Sequence, residues 1–175
     1  MGTAFATRLV ELGHVVSVWN RTAAGMEKAV AAGATGVGAL TELAQGADVL
    51  LSSLTDKAAL DSVTDGAAGL LSSGVENKLW IEMSTILPDQ QEALAAKAEA
   101  AQCHYLECPV GGTVGPALKG ALLGMAGGSA AAWDRGKPIL EGLCKRVEHL
   151  GPVGSGSAMK LAVNLPLAHY WASMG

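Results

Sequence analysis

Apolar positions along the chain switch repeatedly between a helical spacing and short continuous runs. Phe5, Leu9 and Leu12 fall at i, i+4 and i+7, one face of a helix. Gly13 follows where a helix-ending glycine belongs. Val15, Val16, Val18 and Trp19 then form a nearly continuous β-branched and aromatic run, which predicts a strand covered on both faces. The polar triplet Asn20-Arg21-Thr22 closes it. A helix is expected over 24–31, closed by Gly33, then a short strand over 34–37 and helical turns over 39–45 ending at Gly46. Residues 48–54 (DVLLSSL) predict a buried strand, with Thr55-Asp56 capping the next helix. A short helix at 67–71 precedes a strand at 78–83, and Pro88 opens a long alanine-rich helix at a position that tolerates proline.

Further on, the pattern predicts a strand at 104–107, a glycine-rich loop at 109–115, a strand at 122–126, a helix at 129–143 and a last strand at 146–150. From Ser155 it stays helical to the end, with a kink expected at Pro166, which removes the hydrogen bond to the Ala162 carbonyl. Such strand–helix alternation predicts an α/β fold: a doubly wound, Rossmann-type, mostly parallel sheet with helices on both faces. The chain opens on the helix of a dinucleotide-binding unit, so the first strand and the first phosphate-loop glycines are expected to be missing. Residues 1–154 are expected to be one sheet domain, and 155–175 the start of a longer helix. The apolar residues of that helix, Leu161, Leu165, Leu167 and Trp171, call for a partner beyond this sequence.

Composition narrows the function. Half of the 175 residues are apolar, and a formal charge of −4 with no basic run longer than Lys145-Arg146 argues against a nucleic-acid surface. Cys103, Cys108 and Cys144 make an odd count without CxxC spacing, so neither a disulfide framework nor a zinc site is expected. The four histidines show no metal-ligand spacing. No apolar stretch reaches about 18 residues and no signal peptide is recognisable, so a cytoplasmic protein without a membrane segment is expected.

Gly2, at the mouth of the first helix, lets the backbone approach a pyrophosphate. Asn20, Arg21 and Thr22 stand where an acidic residue would read a ribose 2′-OH. Arg21 can hold a 2′-phosphate bidentately, favouring NADP over NAD; the plainer alternative is a solvated turn. Ser84 and Thr85 end a strand on the edge where open sheets bind ligands, and either meet a nicotinamide or substrate or cap the helix at Pro88. The loop from Pro109 to Gly115 offers backbone N–H groups to a carboxylate, or is a tight turn. Lys160 and Asn164 share a helical face. Lys160, between Met159 and Leu161, either snorkels to solvent or is desolvated, its pKa lowered toward proton transfer. Glu82 and Glu107 end strands and are expected to face the cleft, without pairing as acid and base.

Taken together, these motifs resemble the β-hydroxyacid dehydrogenase family, the relatives of 3-hydroxyisobutyrate dehydrogenase. Met1-Gly2 with Ala6 and Leu9 resembles the tail of its GxGxMGxxxAxxL fingerprint. Leu54-Thr55-Asp56 resembles its cofactor-contacting turn, and Glu82 to Pro88 its D-x-S-T-x-x-P segment. Glu107 to Gly112 resembles its D-A-P-V-S-G motif, and Gly154 to Asn164 its G-x-G-x-x-x-K-x-x-N-N helix. The resemblance implies an NADP-dependent oxidoreductase acting on a small semialdehyde, oxo acid or 3-hydroxy acid. Lys160 would be the general acid, Asn164 would orient the substrate, and Gly111 and Gly112, with Thr113 as a substitute hydroxyl, would hold its carboxylate. It also implies a helical second domain that is absent here and a homo-oligomeric full-length form; this chain alone is expected to be poorly stable and inactive. The chain departs from the pattern at Gly111, where the family has serine, at Val163, where it has asparagine, and at Glu82 and Glu107, where it has aspartate. An imine reductase-like enzyme and a non-catalytic NADP-binding module are the alternatives. Lys160 counts against the first, and Lys160 with Asn164 against the second.

Overall fold

The computed structural model describes residues 1–174. Helix α1 (Gly2–Glu11) buries Phe5 and half-buries Leu9 of the expected face but leaves Leu12 exposed, and ends where Gly13 takes a φ of +87°. The Gly13 N–H donates to the Val10 carbonyl at 2.9 Å, closing the helix as a C′ glycine does. Strand β1 (Ser17–Val18) pairs in parallel only with β2 (Thr35–Gly36), and the helix expected between them divides into a 3-10 turn (Ala23–Gly25) and α2 (Glu27–Ala31). The buried run expected at 15–19 is therefore corrected: two residues are strand, both half-buried, and Val15 is 100% exposed. The far edge of β1 carries no neighbouring strand, so Val15 is uncovered, while Val16 and Val18 are half-buried against Ala6, Ala29 and Ala34.

The rest follows as α3 (Leu40–Gln45), β3 (Val49–Ser52), α4 (Lys57–Thr64), β4 (Leu79–Glu82), α5 (Pro88–Ala100) and β5 (His104–Glu107), then β6 (Val110–Gly111), α6 (Val114–Leu118), β7 (Leu122–Gly128), α7 (Ala130–Leu143), β8 (Cys144–His149) and α8 (Ser155–Met174). Strands β3, β4 and β5 are parallel, with Leu50, Trp80 and Tyr105 in one row and Ser52, Glu82 and Glu107 in another. β7 runs antiparallel to β5 and β6 and parallel to β8, so the sheet is mostly parallel with β7 and β8 reversed. The glycine-rich stretch at 109–115 is not a plain loop: it supplies β6 and opens α6. The helix expected at 67–71 is a 3-10 turn, Leu70–Ser72. Helix α8 continues through Pro166.

Alternation along β4 divides the core. Leu79 and Ile81 pack with Phe5, Leu106, Leu140 and Leu143 on one face, while Trp80 packs with Leu50, Leu60, Leu94 and Tyr105 on the other. Each such fully buried side chain contributes about 1.5–3 kcal/mol, which holds the carboxyl ends of β3, β4 and β5 level with one another.

Candidate functional site

The loops at those carboxyl ends are fastened from beneath. Trp80 Nε1 donates to Ser52 Oγ at 2.7 Å, Ser52 Oγ donates to the Glu82 carboxylate, and the other Glu82 oxygen accepts the Ser84 N–H. Ser84 Oγ accepts the Leu54 N–H at 2.8 Å, tying the loop after β3 to the loop after β4. Asp56 accepts the Ala59 N–H at 2.8 Å and caps α4. Glu82 is fully buried, and burial pushes its pKa up to about 7 against its hydrogen bonds from Ser52 and Ser84, with the Glu107 charge adding to the rise.

One strand across in the same row, Glu107 is also fully buried and accepts the Gly156 N–H at 2.9 Å, the Ser157 N–H at 3.3 Å and the Ser157 hydroxyl at 2.7 Å. Burial raises its pKa, and these hydrogen bonds oppose the rise. The expectation that Glu82 and Glu107 face a cleft is thus corrected: both point into the protein, because each finds its donors there.

Two cavities open above this row. The larger, about 560 Å³, is the gap between β1, in its own two-stranded sheet, and β3, the edge strand of the six-stranded sheet. Phe5, Leu9, Val16, Val18 and Leu50 make its walls apolar, and Gly2, Thr3, Asn20, Ser53 and Leu54 contribute to its lining as well. The smaller, about 340 Å³, lies between Thr55, Thr85 and Leu161 of α8. Leu54 and Thr55 join the two along the chain.

The residues singled out in the sequence fall as follows. Gly2 is exposed as the first residue of α1, and a Cβ there would meet nothing within 4 Å. The first-turn amides of a helix lack intrahelical acceptors, and no side chain caps them here. Asn20 Nδ2 donates to the Thr22 carbonyl at 3.0 Å and to its Oγ1 at 3.2 Å, which folds the triplet into a turn and leaves Arg21 exposed at its tip. Thr85 is exposed on the smaller cavity, whereas Ser84 lies buried behind it. The residue preceding α5 is Leu87, so neither Ser84 nor Thr85 caps that helix.

Gly111, Gly112 and Thr113 lie on the turn from β6 to α6 and line neither cavity; Gly112 has a φ of +130°. Lys160 is half-buried, and its Nζ donates to Asn164 Oδ1 at 2.9 Å. Desolvation lowers its pKa from 10.5. The anchoring of α8 by Glu107 was invisible in the sequence, because its partners lie 49 and 50 residues away. Among the described residues no cluster of metal-ligating side chains occurs, and no helix is long and apolar enough to cross a membrane.

An open α/β sheet with a glycine-led, uncapped helix N-terminus at the mouth of its cavity has the features of a Rossmann-type dinucleotide-binding domain. The residues present leave room for a phosphate there, since Gly2 has no side chain and a Cβ built on it would meet nothing within 4 Å. Comparison with known proteins agrees. Residues 1–151 match the NAD-binding domain of 6-phosphogluconate dehydrogenase, and the chain belongs to that family. An NAD-dependent L-serine dehydrogenase of Pseudomonas aeruginosa is 32% identical over 96% of this chain. The structure of Mycobacterium tuberculosis 3-hydroxyisobutyrate dehydrogenase with L-serine superposes with a TM-score of 0.90 at 28% identity, covering 96% of this chain and 57% of that one. An imine reductase from Myxococcus stipitatus in complex with NADP+ shares the fold, with a TM-score of 0.87 at 23% identity over 99% of this chain and 59% of its own. The chain spans 56% of the length of the serine dehydrogenase.

Proposed function

We propose that this chain is the cofactor domain of an NADP-dependent oxidoreductase of the 3-hydroxyacid dehydrogenase type, interconverting a small hydroxy acid and its semialdehyde or oxo acid. The observation that carries this reading is the Lys160–Asn164 hydrogen bond on α8, whose intervening Leu161 lines the smaller cavity although neither member of the pair does. When bound, the nicotinamide takes up or delivers the hydride. The chain's residues handle the proton and the placement. In the oxidative direction the Lys160 amine accepts the hydroxyl proton, and in the reductive direction its ammonium returns that proton to the carbonyl oxygen. Partial desolvation favours the neutral amine, bringing Lys160 nearer the range useful for proton transfer. Asn164 holds the Lys160 nitrogen by its Oδ1 and keeps its amide nitrogen for the substrate. Gly111 and Gly112 offer the substrate carboxylate a side-chain-free approach, and Thr113 offers it a hydroxyl. Gly2, Leu54 and Thr85 are the proposed cofactor contacts, with Arg21, on the turn closed by Asn20 and Thr22, as the reader of the 2′-phosphate. Ser84 supports that surface from behind. The intact protein is expected to work in the cytoplasm as a homo-oligomer.

The test uses the full-length protein with 3-hydroxyisobutyrate and L-serine as substrates and NADP+ and NAD+ as alternative cofactors. Lys160→Ala should lower kcat by about 100-fold or more, the usual scale of a lost general acid–base, and leave cofactor affinity unchanged. Unaltered turnover in that variant would refute the catalytic reading and leave a dinucleotide-binding module. Turnover of cyclic imines in place of hydroxy acids would favour the imine reductase alternative, the reading supported by the shared fold alone.

A further inference from the structure

We infer that Glu107 is a positioning residue for the proposed reaction: its buried carboxylate, at the end of β5, fastens the first turn of α8 and thereby fixes where Lys160 stands relative to the sheet. This rests on the proton-transfer role proposed for Lys160.

The first turn of a helix leaves its N–H groups without intrahelical acceptors, and a nearby anion is favoured there by the helix dipole. Helices commonly meet that need with a local cap. In α8 the acceptor comes instead from the sheet, as Glu107 takes the Gly156 N–H, the Ser157 N–H and the Ser157 hydroxyl. The surrounding backbone leaves no slack. A Cβ on Gly156 would lie 2.2 Å from the Met125 carbonyl oxygen, and one on Gly127 would lie 2.4 Å from Glu107 Oε1. Both positions must therefore be glycine for the carboxylate, β7 and the helix to close together.

Gly156 and Ser157 are the only buried residues among those described in α8, while Met159, Val163 and Leu165 are exposed. The anchor is thus confined to the first turn. Lys160 lies three residues beyond Ser157, less than one turn and about 4.5 Å along the axis. A tilt or slide of the anchored turn carries the ammonium with it, and a misplacement of about 1 Å can cost about 100-fold in rate.

Full-length protein carrying Glu107→Gln, Ser157→Ala or Lys160→Ala tests the inference. NADPH titration counts the intact sites, and kcat for 3-hydroxyisobutyrate oxidation is expressed per site. Glu107→Gln replaces one acceptor by a donor facing donors, so kcat per site should fall about 10- to 100-fold with the KM for NADP+ unchanged. Ser157→Ala removes one of the three donors and should give a smaller fall in the same direction. A merely structural Glu107 would reduce the number of sites and leave kcat per site intact, which would overturn the inference. Should Glu107→Gln fail to fold, Ser157→Ala decides alone, and an unchanged kcat per site there overturns it equally. Lys160→Ala separates the two levels: full activity in that variant refutes the proposed reaction itself, whereas an inactive Lys160→Ala beside a fully active Glu107→Gln refutes only the positioning role.

Discussion

Glu82→Gln should remove a pH dependence of stability that the buried carboxylate imposes. Glu82 has no exposed surface, and its pKa stands at about 7 in the folded protein against 4.5 for an ordinary glutamate. Burial is the leading cause, since it penalises the charged form. Between those two values the folded state holds a proton that the unfolded chain has released, so unfolding free energy falls as pH rises. The protonated folded form is favoured below 4.5, and the whole loss is incurred once pH exceeds about 7. The separation of about 2.5 units, at 1.36 kcal/mol per unit, corresponds to about 3 kcal/mol.

Glutamine mimics the protonated acid at this site: its carbonyl oxygen can accept the Ser84 N–H, and its amide can donate to Ser52 Oγ, which already accepts from Trp80. Urea unfolding of both proteins at half-unit steps from pH 4.5 to 8 measures the difference. The two should agree near pH 4.5 and diverge upward, with the variant more stable by about 3 kcal/mol at pH 8. Glu107 also has a raised pKa and slopes both profiles in the same sense, so the difference between them reports Glu82 together with its coupling to Glu107. Parallel profiles over the whole range would show that Glu82 ionises in the folded protein as readily as in the unfolded one, and the burial argument would fail.

Two further outcomes bear on the site. Arg21→Ala should raise the KM for NADP+ about tenfold or more, the scale of a lost charge-assisted hydrogen bond, while the KM for NAD+ stays put; equal effects on both cofactors would remove Arg21 from phosphate recognition. Gly111→Ser should fold normally, because a Cβ there meets only Leu123 Cβ at 3.6 Å, Met125 Cε at 3.8 Å and Leu123 O at 3.9 Å. The added hydroxyl should lower the KM for 3-hydroxyisobutyrate severalfold, about 1 kcal/mol for one hydrogen bond, and an unchanged KM would place the carboxylate elsewhere.

Helices and strands were legible wherever spacing or a local cap carried the signal. Phe5 and Gly13 set the limits of α1, Pro88 opens α5, and Asp56 caps α4 as the sequence suggests. Val15 misled because a β-branched run reports strand propensity, whereas its cover depends on a neighbouring strand that β1 lacks on one side. The stretch at 109–115 misled in the opposite direction. Its glycines suggested a loop, yet Val110 and Gly111 pair with Gly124 and Leu123, partners that local spacing cannot reveal. At the site, the shared face of Lys160 and Asn164 follows from helical period alone. The inward turn of Glu82 and Glu107 does not, since it depends on Ser52 and on the first turn of α8.

The row Ser52–Glu82–Glu107 explains why two acids sit side by side in a dry sheet. Each acid of the row holds something that would otherwise drift: Glu82, through Ser84, joins the loops after β3 and β4, and Glu107 holds the helix bearing Lys160. The adjacency has a cost, because the Glu107 charge adds to the rise in the Glu82 pKa. It also separates two pH effects. Rising pH frees the Lys160 amine to accept a proton, whose release burial already eases. The stability tied to protonated Glu82 is lost between 4.5 and about 7 and falls no further above that. Oxidative turnover should therefore increase with pH on a limb set by Lys160. In Glu82→Gln that limb should stay where it was while the protein gains stability at and above about pH 7; a displaced limb would tie the carboxylate to the proton transfer itself.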